Sequence, residues 1–576
     1  MSDYDLVVRG GTVVDGSGGE PFAADVAVTA GRIAGIGRDI GRGREEVDAG
    51  GCIVTPGFVD VHTHYDGQVT WESRLAPSST HGVTTVVMGN CGVGFAPVRR
   101  DDHDMVVRLM EGVEDIPGIV MTTGVPWNWE TFPEYLDALA ALRTDIDFAA
   151  QLPHNPLRVY VMGERGAQPE APTGDELAAM RALTSEAIRK GAIGVTTTRM
   201  SGHRFRNGEL VPSIETNEEE LMALAAGLAD AGSGVFQMIG DAHATVDAQM
   251  GLMRRLAKRS GRPLSFTLAQ MTFAPEQWKD FLRGLEAAND DGLAIRGQII
   301  PRPTGILMGL ELSLHPFAFS PSFQPIANLP LAEKVKAMRD PALRARLLAE
   351  EPTDPHAFFL SMVKSTEWLF RLGDPPNYNP RMEDSIACRA RAQARGELDL
   401  IYDTLLEREG REILYRPAGN CLGERFESAG ADMVPHPHTI IGLGDGGAHY
   451  GMVCDGPYTS YFLTYWAQHA DPARRVPLPA AIRMLTADPA DAVGLGDRGR
   501  LAPGMKADLN VIDFAALRLH APFVQYDLPA GGRRLHQKAD GYRATIVSGE
   551  VTYRDGIATG ALPGRLVRGA RAAAAR

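Results

Sequence analysis

Short apolar runs alternate with longer amphipathic stretches through the middle of this chain. The apolar runs have the length and composition of buried strands and cover residues 58–61, 84–88, 148–152, 194–197, 234–238, 264–268, 293–296 and 439–443. Between them, residues 174–190 and 217–231 repeat apolar side chains at spacings of three and four, which predicts helices. This succession predicts an α/β fold, a (β/α)8 TIM-type barrel whose active-site groups lie at the carboxyl ends of the strands.

The two chain ends have a different pattern. Residues 4–55, and again 507–513 and 542–551, alternate apolar and polar positions between glycine-rich turns. Neither end has enough strands for a stable sheet, so we expect the N- and C-terminal segments to form one flanking β-sandwich. The predicted domains are 1–55 and 499–562 for the sandwich, 56–498 for the barrel, and 563–576 for a frayed tail or helix. An inserted subdomain at about 304–420 separates strands 7 and 8.

Composition narrows the classes of partner. A net charge of −14 over 576 residues argues against nucleic acid and anionic membranes, and 44% hydrophobic residues are ordinary for a globular protein. The acidic N-terminus and the absence of a long apolar run predict a cytoplasmic location. The five cysteines form no CxxC pair, which predicts reduced thiols. A small-molecule substrate is the expected partner, and a homo-oligomer remains open.

A pair of histidines stands at the end of the first predicted strand. Pro56 and Gly57 form a turn, and the two-residue side-chain period then places His62 and His64 on one side of the chain. Two imidazoles so placed can chelate one divalent metal. An incidental pair is the competing interpretation, and the motif alone does not decide between them.

Two further candidate ligands follow predicted strands in glycine-rich turns. Cys91 comes after the second strand, where its thiolate can join the histidines on a metal, although free cysteines are more often buried core residues. Asp445 follows the eighth strand, where a carboxylate can bind the same metal and take a proton from its water. An aspartate in such a turn is also common without any of these roles.

Several blocks, in the same order along the chain, resemble those of the amidohydrolase superfamily. They are residues 8–16, PGFVDVHTH at 56–64 and residues 499–509. MGNCGVGFAP at 88–97, with residues 153–158, 191–197 and 484–490, is similar to the D-aminoacylase branch, the N-acyl-D-amino-acid deacylases. The resemblance implies a metal-dependent barrel hydrolase with a flanking β-sandwich. It also implies metal-ligand roles for His62, His64, Cys91 and Asp445.

The sequence departs from this branch after the fifth and sixth strands. There the resemblance implies two histidines that hold zinc together with the cysteine, but this chain has Ile239 and Leu268, which cannot coordinate a metal. His243 can substitute only if its loop bends back. We therefore expect one zinc ion per chain, held by the histidine pair and Asp445, with Cys91 either a fourth ligand or standing off to leave a water position. A closed structural ion, or loss of metal, is the alternative.

Three residues are candidates for substrate binding. Gln270 stands where the resemblance implies a lysine, and Arg302 lies where a seventh-strand tyrosine motif is replaced. Arg302 can grip a carboxylate through two hydrogen bonds, or it can be a surface arginine paired with an acid. His449, four residues after Asp445, can face substrate, orient a ligand or be an ordinary loop histidine.

These residues favour hydrolysis of an amide C–N bond, most simply in an N-acyl (D-)amino acid. Asp445 is the expected catalytic residue, passing a proton to the leaving amine. Two alternatives remain open. One is hydrolysis of another amide, such as a cyclic imide or peptide-like compound, with a single metal; the other is a barrel that has lost catalysis and only binds a ligand.

Overall fold

A computed structural model of the chain describes residues 2–241, 243–353, 357–421, 424–469 and 471–569. The strands are β1 (Tyr4–Val13), β2 (Phe22–Thr29), β3 (Arg32–Gly37), β4 (Gly43–Asp48), β5 (Ile53–Pro56), β6 (Phe58–Asp60), β7 (Val83–Met88), β8 (Asp147–Ala150), β9 (Leu152–Pro153), β10 (Gly194–Thr198), β11 (Val235–Ile239), β12 (Leu264–Thr267), β13 (Ile295–Ile299), β14 (Thr304–Met308), β15 (Phe370–Arg371), β16 (Leu414–Gly419), β17 (Thr439–Ile441), β18 (Leu509–Ile512), β19 (Arg518–Leu519), β20 (Phe523–Leu528), β21 (Gly532–His536), β22 (Ala539–Asp540), β23 (Tyr542–Val547), β24 (Glu550–Arg554) and β25 (Ile557–Ala558). The helices are α1 (Gln68–Trp71), α2 (His103–Glu114), α3 (Gly118–Gly124), α4 (Phe132–Ala140), α5 (His154–Met162), α6 (Gly174–Lys190), α7 (Glu218–Ala231), α8 (Val246–Ser260), α9 (Gln277–Asp290), α10 (Leu331–Met338), α11 (Pro341–Ala349), α12 (Ala357–Lys364), α13 (Ile386–Ala392), α14 (Glu397–Gly410), α15 (Glu424–Met433), α16 (Tyr458–Phe462), α17 (Leu478–Leu485) and α18 (Ala487–Ala492).

Parallel strands form the barrel. In chain order they are β6, β7, β8 with its short continuation β9, β10, β11, β12, β13 and β17, paired in two parallel ladders. Each of the eight strands predicted from the sequence overlaps one of them, so the TIM-type barrel is confirmed. The Asp445 N–H donates a hydrogen bond to the His62 carbonyl (3.1 Å) and joins the first and last strands of the ring.

The outer helices begin where side chains cap them. Helix α6 begins at a capping box, because Thr173 Oγ1 accepts from the Glu176 N–H (3.3 Å) and the Glu176 carboxylate accepts from the Thr173 N–H (2.7 Å). Helix α7 begins after Asn217, whose side chain accepts from the Glu220 N–H (3.0 Å). Both helices match the predicted spans to within one residue. Among the helices of the described chain, none is long and apolar enough to cross a bilayer.

Strands from both chain ends form one nine-stranded sheet within the described residues. Its order is β25-β24-β23-β18-β5-β1-β2-β3, with β4 also paired to β1. The two ends meet where β18 pairs antiparallel with β5, with Val511 opposite Val54. These valines are fully buried with Val8 and Ile546 in one apolar cluster. The predicted β-sandwich built from both ends is confirmed.

The segment between β13 and β17 has a core of its own. β14 pairs antiparallel with β16, and helices α10 and α14 contribute Met338 and Leu405 to a separate apolar cluster. The Ser313 N–H donates to the Gly451 carbonyl (3.0 Å), which places the insertion against the loop that follows Asp445. The limits of this and the other domains remain our assignment.

Two parts of the C-terminal segment differ from expectation. Strands β19 to β22, assigned above to the sandwich, form two small antiparallel pairs, and the Leu535 N–H donates to the Tyr450 carbonyl (2.8 Å) near the barrel mouth. Residues 563–569, expected to begin a frayed tail, instead lie along the barrel, because Val567 is buried and its N–H donates to the Phe148 carbonyl (2.8 Å). The rest of the predicted tail, 570–576, lies outside the described residues.

Candidate active site

The first barrel strand delivers two buried histidines to its carboxyl end. His62 and His64 follow β6 at alternate positions, with ring centroids 5.5 Å apart. The His62 N–H donates to Asp60 Oδ1 (3.1 Å), and the His64 N–H donates to the Gly446 carbonyl (2.8 Å). These hydrogen bonds hold both histidines where the first barrel strand meets the loop that follows the eighth barrel strand, β17.

Cys91 and Asp445 reach the same place through uncommon backbone conformations. Cys91 has φ +56° and Asp445 has φ +46°, and His449 farther along the same loop has φ +52°. A residue other than glycine in this left-handed region costs about 1 kcal/mol or more, so surrounding contacts must hold it there. Such strain is concentrated at functional sites in proteins, and here it falls on three of the residues singled out from the sequence.

Four potential ligand atoms converge at this point. The His62 Nε2 atom lies 3.3 Å from Cys91 Sγ and 3.5 Å from Asp445 Oδ1, and the His64 Nε2 atom lies 3.6 Å from each. These four separations fall within the edges of roughly 3.3 to 3.8 Å of a tetrahedron with zinc–ligand distances of about 2.0 to 2.3 Å. Within the described ranges, His62, His64 and Cys91 are the one group of three such side chains whose ligand atoms lie within 4.8 Å of one another. Asp445 lies outside this mutually close group and approaches only its two imidazoles.

The outer nitrogens of both imidazole rings face acceptors. His62 Nδ1 lies 2.9 Å from Gln298 Oε1, and His64 Nδ1 lies 3.4 Å from Glu114 Oε1. A proton on each Nδ1 leaves each Nε2 with a lone pair that faces the Asp445 carboxylate. Burial also lowers the pKa of both histidines, which favours the neutral form that binds metals. With this proton placement, the two Nε2 atoms and the Asp445 carboxylate form a donor set that a divalent cation can bind.

Buried carboxyl groups surround the four atoms. Burial raises the pKa of Glu114 well above its usual range, and the charges of Asp445 and Asp66 raise it further. Burial likewise raises the pKa of Asp66 to about 7. For Asp445, burial acts upward, but the neighbouring His64 and His62 outweigh it and lower the pKa. This concentration of acids, shielded from water, favours binding of a divalent cation.

Two residues that orient the histidines were missed by the sequence analysis. Gln298 lies on β13, and its Nε2 donates to Ser265 Oγ (3.0 Å), which holds the amide oxygen toward His62. Its signal was a polar residue inside an otherwise buried strand. Glu114 is the last residue of α2 and is 1% exposed. No local motif marks it, because a glutamate at a helix end normally indicates a solvated surface.

Arg302, expected to grip a substrate carboxylate, is held by the protein itself. Its guanidinium forms a buried ion pair with Asp455, donates to the Cys454 carbonyl (2.8 Å) and lies 3.9 Å from the centre of the Tyr378 ring. Only 4% of Arg302 is exposed, so it is not the surface arginine of the alternative interpretation either. These contacts join the insertion to the loop after β17, and the expected substrate role does not fit them.

The other two candidates for substrate binding are buried or half-buried. Gln270 is buried, and its Nε2 donates to the Pro275 carbonyl (3.2 Å). His449 lies beside the cluster: its Nε2 is 3.5 Å from Glu114 Oε2, and its ring centroid is 6.4 Å from that of His64. Glu114 therefore bridges these two histidines. The substrate roles of Gln270 and His449 remain predictions.

The positions of the two missing histidines are apolar. Ile239 and Leu268 are both buried in the main apolar cluster of the barrel. His243 does not replace them, because it is exposed and stacks on Phe273 with ring centroids 4.9 Å apart. The donor atoms that the structure brings together therefore suit one ion.

A cavity of about 820 Å³ opens at the carboxyl end of the barrel. Its wall includes Gly202 and Arg204, which flank His203. His203 Nδ1 lies 2.9 Å from Thr198 Oγ1 at the end of β10. Burial, together with the charges of His449 and His64, lowers the pKa of His203 to about 3. Gly92, next to Cys91, packs against Thr198, and Gly112, two residues before Glu114, packs against the backbone of Arg204, so the cavity adjoins the candidate metal site.

Comparison with known proteins identifies the relatives of this chain. The model of the amidohydrolase family matches residues 45–553, which include the whole barrel. The chain belongs to the amidohydrolase family. As an amidohydrolase, it is a hydrolase that acts on carbon–nitrogen bonds other than peptide bonds.

Individual relatives of this amidohydrolase belong to the predicted branch. D-aminoacylase of Alcaligenes xylosoxydans xylosoxydans is 37% identical over 196 residues, which are 34% of this chain and 37% of that protein. N-acyl-D-glutamate deacylase of the same organism is 28% identical over 515 residues, 88% of this chain and 87% of that protein. A crystal structure of D-aminoacylase superposes with a TM-score of 0.65 and 22% identity, covering 99% of this chain and 100% of that one. The resemblance to D-aminoacylase is confirmed, and the superposition supports the fold.

Proposed function

We propose that this amidohydrolase is metal dependent and removes the acyl group from an N-acyl amino acid. The names of its relatives, D-aminoacylase and N-acyl-D-glutamate deacylase, make N-acyl-D-amino acids the first candidate substrates. One zinc ion per chain is the proposed cofactor. The proposal depends on one observation, the convergence of two Nε2 atoms, a thiol and a carboxylate at the carboxyl end of the barrel.

Each residue of the cluster has a defined task in this proposal. A bound divalent metal polarises the amide carbonyl and makes water a stronger nucleophile. His62 and His64 bind through Nε2, while their Nδ1 partners fix the ring orientations. Cys91 completes the donor set; burial raises the pKa of its thiol well above the usual range, so the free thiol keeps its proton until metal binding displaces it.

Asp445 is the proposed proton carrier. Its carboxylate is ionised at neutral pH, because the neighbouring His64 and His62 keep its pKa low despite burial. Its side chain is 22% exposed, unlike the nearly inaccessible histidines, so it can contact substrate. It can therefore accept a proton from attacking water and deliver that proton to the leaving amine nitrogen.

Metal analysis and a substrate panel test the proposal together. The full chain, purified without added zinc and then loaded, should hold about one ion per chain and hydrolyse N-acyl-D-amino acids in preference to cyclic imides. Asp445→Asn should remain folded and lose about 10²-fold or more of kcat, as expected for loss of a general base. Asp39→Asn, the same chemical change at an exposed position of the N-terminal segment, is the matched control. Zinc-loaded wild-type protein that hydrolyses no N-acyl amino acid would contradict the proposal.

A further inference from the structure

The cavity beside the metal-ligand cluster has a basic wall. Arg204 comes from the loop after β10, and Arg416 comes from β16 of the insertion. Met271 and Phe273, after β12, line the same space, and Phe273 is 54% exposed. Two guanidinium groups at the edge of an apolar surface are suited to a ligand with an anionic group and an apolar remainder.

Arg416 lacks the partners that a half-buried arginine normally has. Its Nη1 lies 2.9 Å from Met362 Sδ, a weak acceptor, and its Nε is buried with no hydrogen-bond partner among the described residues. No ion pair within 4.0 Å joins it to an acid in that part of the chain; Glu367 also lines the cavity but is exposed to solvent. Glu367 lies close enough for its charge to act on Arg416 but forms no ion pair with it among the described residues, so the partly buried guanidinium remains a favourable site for an incoming anion.

Arg204 is positioned differently, by its own loop. Its Nε donates to the Ser201 carbonyl (3.0 Å) and one Nη donates to the Gly208 carbonyl (2.7 Å). These bonds fix the guanidinium and leave other N–H groups for a ligand. The fixed orientation reduces the entropy lost when an anion binds.

We propose that this cavity binds a carboxylate group of the substrate, with Arg416 as the principal anion-binding residue and Arg204 as the second. The inference rests on the proposed function, because an N-acyl amino acid carries a carboxylate next to the scissile amide. The cavity would also supply the carboxylate-binding role that was expected of Arg302, whose guanidinium is instead paired with Asp455. The apolar side chains in the same wall would contact the carbon skeleton of the substrate.

Binding of the amino-acid product tests this inference without any need for turnover. Isothermal titration calorimetry on the full zinc-loaded chain compares D- and L-glutamate with glutamine and with isoglutamine, which lack the side-chain and the α-carboxylate respectively. Either glutamine or isoglutamine should bind about 10- to 100-fold more weakly than glutamate, as expected for loss of one charge-assisted hydrogen-bonded pair. Weaker binding of glutamine would show that Arg416 holds the side-chain carboxylate, and weaker binding of isoglutamine would show that it holds the α-carboxylate.

Variants assign the effect to the cavity. Arg416→Gln should remove the difference between glutamate and the weaker amide, and Arg416→Lys should restore part of it. Arg411→Gln, an exposed change just before β16, should bind as wild type does. Unchanged glutamate binding by Arg416→Gln, an equal loss for all three ligands, or no glutamate binding by the wild type would overturn the subsite. Hydrolysis of N-acyl amino acids by the same preparations reports separately on the proposed function.

Discussion

Replacing Glu114 with glutamine separates the metal-dependent role of this residue from a structural one. Burial raises the pKa of Glu114 well above its usual range, so the metal-free protein holds a neutral carboxyl group there at neutral pH. Glutamine has nearly the same shape and is also neutral. We therefore expect the unfolding temperature of the metal-free protein to change by no more than about 1 °C.

The effect on metal binding is expected to be much larger. In the metal-loaded protein an ionised Glu114 carboxylate can accept from His64 Nδ1 (3.4 Å) through Oε1 and from His449 Nε2 (3.5 Å) through Oε2, but a glutamine amide can accept through only one of those positions. Loss of an outer partner of a metal-binding histidine weakens metal binding by about 10- to 100-fold, which is about 1.4 to 2.7 kcal/mol. With an unfolding entropy of about 2.1 cal/mol/K per residue over 576 residues, this free energy shifts the melting temperature by only about 1 to 2 °C. Direct measurement of affinity is therefore the better assay.

Competition with a chromogenic chelator gives the zinc affinity of the wild type, of Glu114→Gln and of Glu186→Gln. Glu186 is exposed on α6, so its replacement makes the same chemical change away from the site. Equal zinc affinities for Glu114→Gln and the wild type would refute the reasoning. A metal-free Glu114→Gln protein that melts many degrees lower would show instead that Glu114 supports the fold.

Three further changes test the site, the pH response and the terminal sheet. Cys91→Ser should lower zinc affinity by at least about 10-fold in the same chelator assay, because it removes a sulfur donor; unchanged affinity would exclude Cys91 as a ligand. Burial lowers the pKa of His81 to about 3. Between about pH 6.5 and 3, His81 therefore binds a proton in the unfolded chain but not in the folded protein. As the pH drops through this range, the free energy of unfolding falls by up to about 1.4 kcal/mol per pH unit. His81→Gln should therefore show a smaller loss of melting temperature from pH 7 to pH 5, and an equal loss would contradict this account. Ile546→Ala, at a fully buried position of the terminal sheet, should lower the free energy of unfolding by about 2 to 5 kcal/mol. Ile557→Ala, at a position 73% exposed, should change it little. Similar effects of the two substitutions would contradict the assignment of Ile546 to the apolar core of this sheet.

The barrel could be predicted because its information is local. Each buried strand is a short apolar run, and helices such as α6 contain their own capping residues. The pairing of β19 with β22 could not be predicted, because two-residue strands leave no periodic pattern. The path of residues 563–569 depends on contacts with Phe148, more than 400 positions earlier, which no local pattern encodes.

The same distinction between local sequence patterns and long-range contacts applies to the candidate site. The strand period places His62 and His64 together, and the positions of Cys91 and Asp445 after strands were visible in the sequence. Glu114 could not be found, because its partners His64 and His449 come from other elements of the chain. Arg302 was placed correctly near a strand end, but its ion pair with Asp455, 153 positions away, determines what it can bind.

The metal-ligand cluster lies where the first and last strands of the barrel meet, so its assembly depends on the order in which the chain is synthesised. His62 leaves the ribosome early, whereas Asp445 follows only after the entire insertion, and the bond from the Asp445 N–H to the His62 carbonyl forms where the ring closes. An unfinished chain therefore lacks the carboxylate that faces both imidazoles. Tight binding of a metal ion would then occur only after a newly synthesised chain has closed its barrel. The bound ion would also link the first strand of the barrel to the loop after the last one.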